Sequence, residues 1–146
     1  MGAYLSLVNT GNVARVGFDP ASATTTGPPV SITTGGHDFS FGYLDVTRDG
    51  RWVVATTGLR SQEDLFLIST ADGTVRQMTN DFFRDRAPRW SSDQQRLLFY
   101  SDRGGEYAVW SIDADGAGLR QLTHGAAATR CSTTSGSCAR RSRART

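Results

Sequence analysis

A 44-residue internal repeat, short strand-like runs punctuated by turn residues, and the lack of helical periodicity beyond one turn predict an all-β fold. The architecture expected is an incomplete β-propeller of about three four-stranded antiparallel blades, followed by a disordered C-terminal tail. The repeat is plain when the chain is slid along itself. "VRQMTND" at 75–81 returns as "LRQLTHG" at 119–125. Asp49 falls on Asp93, Ile68 on Ile112, Arg76 on Arg120, Gln77 on Gln121 and Thr79 on Thr123, with no gap from Val46 to Thr79. Apolar positions correspond as well: Val53 with Leu97, Val54 with Leu98, Leu65 with Val109, Phe66 with Trp110 and Met78 with Leu122.

Each repeat yields its strands in turn. "RWVVATT" (51–57) and "RLLFYS" (96–101) are β-branched and aromatic runs that follow turns at "TRDG" and "SSDQ". "DLFLIS" (64–69) and "YAVWSID" (107–113) come next, closed by tight turns at Asp72-Gly73 and Asp115-Gly116. The last strands are "VRQMT" and "LRQLT", in which Val75, Gln77 and Thr79 share one face and Arg76 and Met78 the other. A weaker third copy precedes these. "AYLSLV" (3–8), "NVARVGF" (12–18) and "VSITT" (30–34) match the second, third and fourth strands of a blade whose first strand is missing. The segment "DPASATTTGPP" between the last two is expected to be a loop, given its proline, threonine and glycine. Eleven strands are expected, in an incomplete blade over 1–36, full blades over 37–80 and 81–125, and a tail over 126–146.

Composition excludes several function classes. The 16 basic residues are all arginine, and five of them lie in 130–146 with no acid beside them. Residues 1–129 then hold 11 arginines against 14 acids, a formal charge of −3, so nucleic-acid binding rests on the tail alone and is not expected. No apolar run approaches the roughly 20 residues of a membrane span. The N-terminus lacks the pattern of a secretory signal, which leaves the chain as written expected in the cytoplasm. The tail has almost no large apolar side chain to offset an ordering cost of about 1–2 kcal/mol per residue, hence the expectation of disorder. Its Cys131 and Cys138 are read as free thiols.

No residue set meets the needs of a catalytic or metal site, and no cofactor is expected. His37 and His124 flank turn glycines without a nucleophile elbow. "DADGAG" (113–118) opens like a calcium loop but lacks the later ligands, so a hairpin turn is the better account. The most interesting surface is "NDFFRDRAP" (80–88), which joins one blade to the next. There Phe82, Phe83, Arg84 and Arg86 are of the types that anchor protein interfaces. The competing expectation, favoured on the sequence, is that both phenylalanines pack between blades.

"APRWSSDQQRLLFYSDRGGEYAVWSIDADGAGLRQLT" (87–123) closely resembles the WD-like propeller repeat of the TolB type. Pro88, Trp90, Ser91, Asp93, Ser101, Asp102, Arg103, Gly105, Asp115, Gly116, Arg120, Leu122 and Thr123 stand at that family's motif positions. The copy at 46–79 keeps Asp49, Gly50, Arg76 and Thr79 but loses the Ser-Asp-Arg element. Gln94 replaces a family glycine, which predicts a looser or different turn at about 1–2 kcal/mol if that slot needs left-handed backbone. The resemblance implies propellers of six or so blades that serve as protein-interaction platforms or as gating domains of serine peptidases, often in the periplasm. The expected function is therefore non-enzymatic binding of a protein or peptide. The alternative is the propeller portion of a prolyl-oligopeptidase-like serine hydrolase. Fewer than four blades leave terminal faces open, so edge-to-edge association is expected, including a homodimer that would supply six blades.

Overall fold

In the computed structural model, residues 2–7 are described as backbone, and 11–39, 42–57 and 63–124 in full. Among them eleven strands form three antiparallel sheets. The first sheet holds β1 (Gly2–Leu7), β2 (Val13–Asp19) and β3 (Thr24–Ser31), in that order. The second holds β4 (Leu44–Val46), β5 (Trp52–Thr56), β6 (Leu65–Ser69) and β7 (Val75–Gln77). The third holds β8 (Asp85–Trp90), β9 (Arg96–Ser101), β10 (Ala108–Asp113) and β11 (Arg120–Gln121). Both four-stranded sheets are simple meanders, each strand pairing with its neighbour in sequence. The expected tail over 126–146, with both cysteines, lies outside the described residues.

Alternation along the strands gives the second sheet two apolar faces, and the faces do different work. In the second sheet Val53, Ala55, Phe66 and Ile68 point towards the first sheet and pack with Val13 and Phe39. Val54 and Leu65 point the other way and pack with Leu97, Phe99 and Ile112 of the third. A sheet buried on both faces is the middle blade of a stack. Strand β8 runs beside β4 and β5, so the second and third blades meet along their first strands.

One hydroxyl marks the same corner of every blade. Thr33, Thr79 and Thr123 each accept a hydrogen bond through Oγ1, from the backbone N–H of Val13 (2.9 Å), Leu65 (3.0 Å) and Val109 (2.9 Å). The residue before each threonine donates its own N–H, at 2.8 Å, to the carbonyl of that same partner. The first sheet is thereby tied to the repeat by geometry as well as by sequence. Thr79→Val keeps the shape but leaves the buried Leu65 N–H without its acceptor. Chemical denaturation should show a loss of about 1–3 kcal/mol.

Two expectations need correction. The segment 24–29, expected to be loop, is strand, and the strand expected over 30–34 is the end of the same element, which stops at Ser31. Pro28 and Pro29 fit because β3 is an edge strand and the register with β2 shifts between Arg15 and Gly17, where no ladder N–H is demanded. The turn at Gln94 is likewise neither looser nor of another type. Gly50 sits at φ 70° and Gln94 at φ 60°. Thr47 and Asp49 in one turn, and Ser91 and Asp93 in the other, make the same hydrogen bonds. Glutamine is simply held in left-handed backbone, and its Oε1 accepts from Arg48 N–H of the preceding blade at 3.2 Å.

Candidate functional site

The rim where β8 begins and β9 ends gathers most of the polar chemistry. At its centre lies Arg103, whose side chain is only 8% exposed. Its guanidinium forks onto Asp85, with Nη2 2.9 and 2.7 Å from the two carboxylate oxygens, and lies 3.1 Å from Asp81. Nε donates to Ser101 Oγ at 2.9 Å. The rings of Phe83, Phe99 and Trp110 surround the cation, with centroids 5.5, 5.8 and 5.4 Å from its carbon. Asp85 is fully buried, so the pair is an interior salt bridge tying the start of β8 to the end of β9.

This anchor fixes the loop that joins the blades. Phe83 N–H donates to Asp81 Oδ1 at 3.0 Å, and Arg84 N–H to Asp102 Oδ1 at 2.9 Å. Asp85 N–H reaches the Glu63 carbonyl of the preceding blade at 2.7 Å, and Arg84 bridges Glu63 in parallel. Arg86 forms a two-pronged ion pair with Glu63 and lies 5.6 Å from the centre of the Tyr107 ring. Phe82 is 95% exposed and Phe83 40%. The favoured expectation that both phenylalanines pack between blades is therefore wrong. Phe83 lies against Arg103 and Phe82 projects into solvent, because a turn held by Asp81 aims the two rings apart.

Of the four residues singled out from the sequence, the structure brings Phe83 and Arg86 into ion-pair and aromatic contacts. It leaves Phe82 and Arg84 on the surface. The residue that organises the rim, Arg103, was legible only through the Ser-Asp-Arg element of the motif. Asp64, buried beside this rim, accepts from Gln77 at 3.2 Å. Burial, helped by the nearby Asp81 and Asp85 charges, raises its carboxyl above the ordinary aspartate range.

The opposite rim carries a cleft of about 810 Å³ between the second and third blades, lined by Trp52, Trp90, Arg76 and the turn aspartates. Arg76 crosses it to donate to the carbonyls of Ala114 and Asp115, a latch from β7 to the next blade's hairpin. "DADGAG" is that hairpin, with Gly116 at φ 96° and its N–H 2.8 Å from the Asp113 carbonyl. Among the described residues no cluster of three or more side chains suits a metal ion. No helix there is long and apolar enough to cross a membrane.

Antiparallel sheets of three, four and four strands, stacked face to face in chain order, define a β-propeller, here a partial one of three blades. Comparison with known proteins shows similarity to TolB-type propellers. The chain is 34% identical over 73 residues to the Tol-Pal system protein TolB of Wolinella succinogenes, an alignment covering 50% of this chain and 17% of that protein. Its fold matches that of putative TolB from Agrobacterium tumefaciens with a TM-score of 0.64 and 20% identity, over 85% of this chain and 42% of that one. TolB from Acinetobacter baumannii matches with a TM-score of 0.59 and 22% identity, over 84% and 29%. No family model matches. The chain spans less than half the length of each of these relatives.

Proposed function

We infer that this partial propeller is a non-enzymatic module that binds a protein or peptide through the 80–84 loop, which is shorter than the 80–88 expected because residues 85–88 belong to β8. The observation that carries this is an almost fully exposed phenylalanine, Phe82, on a loop held by a buried salt bridge and by hydrogen bonds to two blades. Large aromatic side chains on pre-ordered backbone are efficient anchors, because little conformational entropy remains to be lost on binding. Arg84 beside it adds a guanidinium for carboxylate or backbone carbonyl groups. The Wolinella relative is by name a component of the Tol-Pal system, which agrees with a protein partner. Binding rather than catalysis also fits His37, whose ring packs against Phe66 at 4.6 Å.

Peptides selected on the intact chain from a displayed library give a direct test. Phe82→Ala and Arg84→Ala should each weaken the selected peptides by about tenfold, a loss near 1.4 kcal/mol, with the unfolding midpoint unchanged. Peptides that bind both variants as well as the parent would place the binding surface elsewhere. Association of two copies through their exposed blade faces belongs to the same reading.

A further inference from the structure

We propose that the cleft between the second and third blades, on the rim opposite the 80–84 loop, binds a neutral oligosaccharide of equatorial pyranose rings. Its volume of about 810 Å³ lies within the ~300–1,000 Å³ of small-molecule sites. The two blades supply facing walls, with Trp52 and the buried Leu67 on β5 and β6 and Trp90 on β8. The site is pre-formed, because three contacts tie the blades together at this rim. Arg76 donates to the carbonyls of Ala114 and Asp115, Gln94 Oε1 accepts from Arg48 N–H, and Asp45 Oδ2 accepts from Trp90 N–H at 2.9 Å. A ligand entering walls held in this way has little protein to order.

The lining specifies the ligand's chemistry. Each blade contributes one indole, and that of Trp52 is 40% exposed. The electron-rich face of an indole attracts weakly positive C–H groups. An equatorial pyranose presents such C–H groups on its flat faces and hydroxyls around its edge. Trp90 Nε1 is buried without a hydrogen-bond partner among the described residues. The other side-chain atom in that condition, Trp110 Nε1, belongs to a residue that does not line the cleft. A buried donor left unpaired calls for an acceptor, which a sugar oxygen supplies. The polar groups at the mouth suit hydroxyls. Asp93 holds its turn through Oδ1, so Oδ2 can accept a hydroxyl proton, and the exposed Gln95 amide both donates and accepts. Charges nearby offset one another, which disfavours an ionic ligand. Arg51 lies 3.8 Å from Asp49, Arg96 pairs with Asp113 at 2.8 Å, and Arg76 lines the same cleft as Asp93 and Asp115.

This site goes beyond the peptide-binding reading and does not depend on it. The chain has 3 tryptophans, so nitrogen-15 spectra of the full chain resolve each indole N–H, with Trp110 as an internal control. Cellotriose and chitotriose serve as probes at about 20 mM, enough to saturate a site with a dissociation constant of about 1 mM. At least one of them should shift the Trp52 and Trp90 indole signals and leave that of Trp110 in place. Trp52→Ala should weaken the binding about tenfold, whereas Trp52→Phe, which restores an aromatic wall, should retain most of it. Gln95→Ala, at an exposed position, should weaken it about threefold with the unfolding midpoint unchanged. The proposal is overturned if neither saccharide moves the two signals, if all three indoles shift alike, or if Trp52→Ala and Gln95→Ala bind as the parent does. Argininamide shifting Trp52 and Trp90 where both saccharides fail would make the cleft a receptor for a cationic side chain instead. Peptides selected on the 80–84 loop should bind equally with and without saccharide, so either reading can fail alone.

Discussion

Arg103→Met should lower the free energy of unfolding by about 3–5 kcal/mol, the largest single effect expected outside the apolar seams. Methionine fills the space among Phe83, Phe99 and Trp110 but leaves Asp85 buried with no opposite charge. A small domain has about 5–15 kcal/mol in all, so such a loss brings it close to unfolding at body temperature. The cause is the stranded carboxylate rather than the missing attraction, which a second variant separates. Asp85→Leu combined with Arg103→Met removes both charges and should recover most of the loss, since an apolar replacement of a buried pair is often neutral. If the double variant is as unstable as the single, the guanidinium acts through its aromatic contacts instead. Urea titrations of the parent, the two single variants and the double complete the cycle.

Leu65→Ala should cost about 2–5 kcal/mol, whereas Leu122→Ala, in dilute solution, should change stability by no more than about 0.5 kcal/mol. Leu65 is completely buried in the seam between the second and third blades, so truncation leaves a cavity that rigid neighbouring sheets close only in part. Leu122 occupies a matching surface with no blade laid over it among the described residues. Equal effects at the two positions in dilute solution would mean that the seam contributes nothing to folding.

The repeat made the architecture legible because blade-forming residues recur at a fixed spacing and must meet the same neighbours each time. Thr79 and Thr123 matched in sequence and proved to cap equivalent corners; Thr33 joined them only once its hydrogen bond to Val13 was seen. The larger part of β3, residues 24–29, escaped notice because proline and glycine are penalised by rules for paired interior strands, and edge position with a bulge lifts that penalty at Pro28 and Pro29. The slot of Gln94 does need left-handed backbone, the condition on which a looser turn was expected, but the turn's hydrogen bonds to Asp93 and Ser91 outweigh the strain of one side chain. At the candidate site, composition pointed to the loop but not to its rigidity. A single arginine and two aspartates, brought together from 81, 85 and 103, determine which phenylalanine is anchored and which is presented.

The stacking of three sheets through alternating faces is tested most directly by nuclear Overhauser contacts between methyl and ring protons of the middle blade. Adjacent valines should report different neighbours: Val53 should see Val13 and Phe39, and Val54 should see Phe99 and Ile112. If both valines report the same partners, or if Val13 and Leu97 lie within contact of each other, the sheets are not arranged as successive blades.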